Sequence, residues 1–498
     1  MLLDRLMQGK QALELPHDRR KGELMLISRR RLLTIPGSAA LVTARKVAAL
    51  PADKIEGIEH KGVLIHECGI EGERRRDDTV PAHPNGIQAS KDRWLVIYAT
   101  RSFRGFDDDR SIVYQLRAGA LDGKIVKEGL LARIQADPID GGRLYELHQL
   151  GHPVLFGVPR GARILGRPAP SANVFVAKWR RTTLTLDKDK DQLVHGAGNR
   201  APSLQRQAVQ WIQFRLSPSE DDIEIIQPVS LLRQKGYETG EAFCSAPVKT
   251  INQSFVQAVP YKRDGTEWVD CNHFDGAPVW PFLGTGRLAC LRYAYNAELG
   301  RYEWIQTGTL FGGRDLPLIE ASLAQMGNQW IIAARPSAAG LVWVRTEDPF
   351  AEMPPLTHRK DPATTSPRTA YVCADGVLRL FTGDRAVSPY RQARNPLYCW
   401  DIDPNNGFTP SVRRVIFDSV KAGLPIRQET PPMIDMCKLL PHAGGRFQWI
   451  LHRVQVDADN HPRPQRSTPP INEKEKGVCG VYYAQVAYSE SFPSRWEF

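Results

Sequence analysis

The chain has 498 residues, 42% of them apolar and 24% charged, enough for one large domain or several smaller ones with a real core. No run of 18 apolar residues occurs, so no helical membrane span is expected. The net charge of +11 is concentrated at the start: residues 1–49 hold ten Lys/Arg against four Asp/Glu, and the remainder carries about +5. That weak basic bias suits an anionic glycan, and the clustered basic and aromatic residues of a nucleic-acid surface are missing.

Residues 25–52 read MLISRRRLLTIPGSAALVTARKVAALPA. Ser28-Arg29-Arg30-Arg31-Leu32-Leu33 precedes a weakly apolar segment, and Val47-Ala48-Ala49 supplies small residues suited to cleavage. This order matches a twin-arginine export signal, with Met25 as an alternative start and a periplasmic or extracellular location as its consequence. Arg45-Lys46 is the feature that fits least. The eight cysteines, Cys68, Cys244, Cys271, Cys290, Cys373, Cys399, Cys437 and Cys479, are widely spaced with no CxxC, which excludes a zinc ribbon. Most sit in or beside apolar runs, as buried thiols do, although export would allow one or two disulfides.

Beyond Ala52, short apolar runs recur between Gly, Pro, Asn and Asp turns. They gather in six packets, residues 80–135, 145–235, 245–315, 317–350, 365–420 and 431–455. Most contain a strong aromatic–aliphatic strand, such as Trp94–Tyr98, Arg287–Tyr293, Gln329–Ala334, Val377–Thr382 or Phe447–His452. The repeat predicts an all-β fold, a six-bladed β-propeller, with five or seven blades as alternatives. The last strand, Val478–Tyr488, is expected to pair near Gly62–Glu67 and close the ring, which removes exposed sheet edges. The polar insert Thr182–Ser203 reads as an exposed loop between strands of blade 2.

The first packet carries the densest chemistry. Between Asn85 and Arg117 it reads strand, turn, strand, loop, strand, and the loop holds Asp107, Asp108 and Asp109 among arginines. Charges of both signs where a sheet ends are a common setting for binding. In the fourth packet Glu320 opens an inner strand, Gly327-Asn328 makes the turn, and Arg335 ends the next strand. A guanidinium offers a planar fork to a carboxylate or vicinal hydroxyls, and a carboxylate can move protons. His83, His273 and His452 lie near inner-strand or strand-end positions where a histidine could act as base or acid, though single histidines there are more often structural. No HExxH pattern occurs, so catalytic zinc is not expected, and no other cofactor is called for. Calcium held by Asp107–Asp109 stays an option, although the spacing is not that of an EF-hand.

The segments Gly86–Ser90, Trp94–Arg101, Asp107 and Ile112–Arg117 resemble the first blade of the sialidase superfamily. The similarity extends over roughly the 400 residues after the leader, without the Asp-box repeat Ser-x-Asp-x-Gly-x-Thr-Trp. It implies substrate-binding roles for Arg101, Arg335 and Arg394, with Arg391 and Arg385 as alternatives to the last. It also implies an acid role for Asp107, with Asp108 beside it, and places Glu320 where sialidases polarise a tyrosine nucleophile. Two family features are absent. Asn85-Gly86-Ile87-Gln88 stands in place of Arg-Ile-Pro, and Pro432-Met433-Ile434-Asp435-Met436 lacks the tyrosine, leaving Asp435 near the nucleophile position. The resemblance therefore implies a glycoside hydrolase on an anionic or deoxy sugar other than ordinary sialic acid. Water attack activated by Glu320 would invert the anomeric centre, whereas Asp435 as nucleophile would retain it. A polysaccharide lyase acting on uronate glycans and a non-catalytic glycan-binding propeller are the alternatives.

The leader is testable on its own. Fusing residues 25–55 to a reporter should direct export, and replacing Arg29 and Arg30 by Lys should block it. Export that survives the replacement contradicts the signal.

Overall fold

The computed structural model describes residues 51–74, 79–102, 109–139, 144–158, 163–164, 167–168, 174–187, 192–193, 206–232, 237–239, 248–249, 255–263, 287–296, 301–313, 316–336, 340–362, 369–390, 394–426, 432–456 and 473–494. The leader, Asp107, Asp108, Arg391, His273, Cys244 and Cys271 lie outside them.

The central strands are apolar along their whole length because each is covered on both faces. In Arg93–Ser102, Leu95, Ile97 and Ala99 pack with Phe175, Trp179 and Phe214 of the following sheet. The alternate residues Trp94, Val96 and Tyr98 pack with Leu440, Leu451 and Val481 of the last sheet. The side-chain period of two thus sends one strand into two cores. The same arrangement joins Ile332 and Ala334 to Leu288 and Cys290, and Ile331 and Ala333 to Leu378 and Leu380.

The result is a ring of six antiparallel sheets, a six-bladed β-propeller. Blade 1 runs Thr79–Ser90, Arg93–Ser102, Asp109–Ala118, Ile125–Ala132 in sequence order. Blades 4 and 5 repeat that order from Leu318–Met326 to Thr357–Arg359 and from Thr369–Val372 to Thr409–Phe417. Blade 2 is built on Leu144–Val158, Val174–Asp187, Arg206–Leu216 and Ile223–Leu232, and blade 3 on Phe255–Arg263, Arg287–Asn296 and Arg301–Thr307. In blade 6, Met433–Leu439, Gly445–Gln455 and Gly480–Phe492 are completed by Ile55–Ile65. Inner strands pack on one another: Thr79–Ser90 touches both Leu144–Val158 and Met433–Leu439, and Leu318–Met326 touches both Phe255–Arg263 and Thr369–Val372.

The expected closure is present, with Gly62 opposite Tyr483 and Ile65 opposite Val481, and it extends back to Ile55 opposite Tyr488. Ahead of that strand, Asp53 is tied to blade 5. Arg379 Nη2 donates to Asp53 Oδ1 at 2.8 Å, and Arg414 also binds this carboxylate. Arg379 is fully buried and bonds Asp375 at 2.6 and 2.7 Å and Asp401 at 2.8 Å.

One expectation needs correction. The polar stretch from Thr182 begins as strand, not loop: Thr182–Asp187 continues the strand from Val174 and pairs with Leu144–Gln149. Backbone pairing with Leu144–Gln149 makes it strand despite its polar composition. The six described cysteines are buried thiols. Among the described residues no helix is long and apolar enough to cross a membrane.

The Asp53 cluster grades its members by burial. Arg379→Ala leaves buried Asp375 uncompensated and should cost roughly 3–5 kcal/mol. Asp53→Ala removes a partly exposed partner and should cost about 1 kcal/mol or less. Urea unfolding of both variants checks the order, and equal losses contradict it.

Candidate functional site

Two cross-strand pairs recur at equivalent positions of blades 4 and 6. In each, a carboxylate on the inner strand faces an arginine near the end of the second strand: Glu320 opposite Arg335 and Asp435 opposite Arg453. Arg335 Nη1 donates to Glu320 Oε1 at 2.9 Å. Arg453 grips Asp435 through Nε at 2.8 Å and Nη2 at 2.9 Å, the fork geometry that makes such pairs strong. Arg394, from the loop before the third strand of blade 5, donates to Asp435 Oδ2 at 2.6 Å. All but Arg394 are buried as residues. The charges felt by Arg394 are those of Asp435, Arg335, Arg453 and Glu320, so blades 4, 5 and 6 meet in one cluster. Among the described residues three guanidiniums and two carboxylates meet there.

Burial alone pushes the Asp435 carboxyl up. The guanidiniums of Arg453 and Arg394 outweigh it, and the group titrates below the usual carboxylate range. It is therefore an ionised anchor. Glu320 is held on one side only: its Oε2 is buried with no hydrogen-bond partner among the described residues.

Blades 1 and 2 add two histidines. Arg453 Nη1 lies 2.8 Å from His83 Nε2. A guanidinium only donates, so Nε2 accepts and this imidazole is neutral here. His83 stacks on His152 with ring centroids 3.9 Å apart. Their backbones take positive φ, 50° and 54°, as does Met436 at 52°. Each sits where an inner strand breaks register. A bulge re-aims side chains at the cost of a strained residue, and here it places the His83 ring against Arg453.

Of the residues singled out in the sequence, Glu320, Arg335, Arg394 and Asp435 come together. Arg101 is fully buried and donates to Gln455 Oε1 at 3.4 Å, two residues beyond Arg453, so it borders the cluster. Arg385 is exposed. Asp107 and Asp108 lie outside the described residues, as does the side chain of Asp109. Among the described residues no group of three or more His, Cys, Asp or Glu is placed to hold a metal ion. His452 is not in the site. It faces Phe417 and Tyr482, and burial pulls its pKa down to about 3.

Arg453 and His152 were missed. A signal for Arg453 exists: in the second strands of blades 1, 4 and 6 a Trp is followed by an Arg near the strand end, Trp94…Arg101, Trp330…Arg335 and Trp449…Arg453. Neighbouring His452 attracts attention first, but strand parity turns it to the opposite face. For His152 no sequence signal marks the bulge.

No family model and no curated protein sequence matches the chain. Among solved structures it is similar to a sialidase from Trypanosoma rangeli, with TM-score 0.45 and 9% identity, covering 82% of this chain and 54% of that one. It is also similar to the Hadza microbial sialidase Hz136, with TM-score 0.47 and 9% identity over 86% and 68%. A third is the NanB sialidase from Streptococcus pneumoniae, with TM-score 0.46 and 7% identity over 90% and 72%. The chain spans about half the length of the trypanosomal protein.

Asp435 sets a pH signature. Its folded pKa lies below its unfolded value, so its contribution is complete above about pH 4 and is lost as pH falls through the folded pKa. Asp435→Asn should cost roughly 3–5 kcal/mol at pH 7, because two guanidiniums lose their counter-charge. The gap to the unmodified protein should narrow below about pH 4. Urea unfolding at both pH values reads it, and a gap constant down to pH 2 contradicts the anchor role.

Proposed function

We propose that this propeller binds and hydrolyses a glycan bearing an acidic group, as a glycoside hydrolase distinct from an ordinary sialidase. The observation that carries this is the convergence of Arg335, Arg394 and Arg453 from three successive blades in one cluster. Such a cluster favours an anion and orients it through planar forks. Arg335 and Arg394 take the acidic group of the sugar, and Arg101 supports that end of the site. Asp435 fixes Arg453 and Arg394 in place.

Glu320 carries the base role. Its unbonded oxygen can accept a proton from water, and Arg335 keeps the other oxygen occupied. Asp107, with Asp108 as its neighbour, is the proposed acid. A water nucleophile gives inversion; retention would instead point to Asp435 as nucleophile. No cofactor enters the reaction, and the proposed setting is periplasmic or extracellular.

One observation favours a second reading. His83 stands beside the arginine cluster, and proton abstraction next to a uronate carboxylate needs a base beside such a charge, a role Nε2 takes once released from Arg453. A lyase product absorbs in the ultraviolet through its new double bond, whereas a hydrolase product gains reducing ends without that absorbance. Binding without either leaves a glycan-binding propeller.

Arginine geometry supplies the test. On folded protein, Arg335→Ala should weaken binding of a uronate or related acidic glycoside by about 10- to 100-fold, the value of a charged hydrogen bond. Arg335→Lys should weaken it less, because charge is kept and only the fork is lost. Unchanged affinity in both variants removes Arg335 from the site and contradicts the proposal.

A further inference from the structure

A second polar cluster lies between blades 2 and 3. Lys178 and Gln213 sit on neighbouring strands of blade 2, where Val176 faces Gln213 and Lys178 faces Trp211. Directly paired residues share a face, and so do residues two apart, so Lys178 and Gln213 are diagonal neighbours on one face. The opposite face, with Phe175, Ala177 and Trp179, belongs to the apolar core shared with blade 1. The polar face looks toward blade 3, whose Tyr293 ring lies 5.1 Å from Lys178 Nζ.

Lys178 is 3% exposed and Gln213 is fully buried. Lys178 Nζ, Gln213 Nε2 and Gln213 Oε1 have no hydrogen-bond partner among the described residues. Buried polar groups are nearly always satisfied, and leaving one unpaired costs the full desolvation of that group. Among the described residues no carboxylate answers the ammonium; the other charge acting on it there is a second cation, Lys438, itself buried in blade 6. Burial first, and then Lys438, pull the Lys178 pKa down to about 7, the response of an amine lacking a counter-ion. The three orphaned atoms offer several donors and one carbonyl acceptor. Water could bridge some of them but would bring no negative charge.

We propose that the Lys178–Gln213 cluster is a binding site for a small oxyanion that keeps one O–H, of the hydrogen phosphate type. Anionic oxygens accept from Lys178 Nζ and Gln213 Nε2, the O–H donates to Gln213 Oε1, and the Tyr293 ring lies beside the ammonium. The proposal does not depend on the function of the arginine cluster.

The probe is inorganic phosphate, titrated calorimetrically into the full chain at pH 7, with sulfate as the comparison. Sulfate has the charge but no O–H at this pH. Phosphate should bind at least about tenfold more tightly than sulfate, and Gln213→Leu should erase the preference. Lys178→Met should abolish this binding while leaving the phosphate-free protein at least as stable, since it replaces an uncompensated buried charge by an apolar chain of similar length. Arg394→Ala separates the two sites: phosphate binding that survives it and is lost in Lys178→Met supports the proposal. Binding lost in Arg394→Ala and kept in Lys178→Met assigns the phosphate to the arginines and overturns it. An absence of phosphate binding, or a Lys178→Met protein markedly less stable without phosphate, overturns it as well.

Discussion

Closure of the ring is the constraint on which the rest depends. Six sheets can bury both faces of their central strands only if the sixth blade meets the first, and that blade is incomplete without Ile55–Ile65. The strand is held along its length by backbone pairing with Gly480–Phe492. Just before it, Asp53 is bound by two arginines of blade 5. Closure brings the inner strands together, so Glu320, Asp435 and His83, far apart in the chain, lie near one another.

At that centre the sheet geometry performs the chemistry of placement. A carboxylate on an inner strand and an arginine opposite it on the next strand form a pair whose register is set by the ladder. Blades 4 and 6 carry this pair, and Arg394 from blade 5 links into the second. Burying guanidiniums is costly unless each finds an acceptor. Glu320 and Asp435 provide such acceptors. The bulges at His83, His152 and Met436 refine this placement, and they concentrate backbone strain where side chains must be aimed.

Much of this was legible in the sequence because it rests on period and repetition. The aromatic–aliphatic strands at Trp94, Gln329 and Phe447 mark the blade centres, and Val478–Tyr488 pairs where expected. Glu320 and Arg335 were visible as the two ends of one hairpin. What escaped depends on direction and pairing. His452 and Arg453 are adjacent, yet one faces the blade 5 core and the other the site, and only the register decides which. The bulges at His83 and His152 use non-glycine residues at positive φ, so no glycine announces them. Thr182–Asp187 looks like loop by composition and becomes strand through Leu144–Gln149. Lys178 is hidden in the apolar run Val174–Trp179, where a single lysine reads as a surface residue until blade 3 covers it.

The central claim is that the arginines of blades 4 to 6 receive the acidic group of a sugar. The most direct measurement is a crystal structure of the protein with a bound uronic acid. The account predicts the sugar carboxylate within hydrogen-bonding distance of Arg335 and Arg394, with Asp435 still held by Arg453. A sugar bound elsewhere, or one whose carboxylate turns away from these arginines, would contradict it.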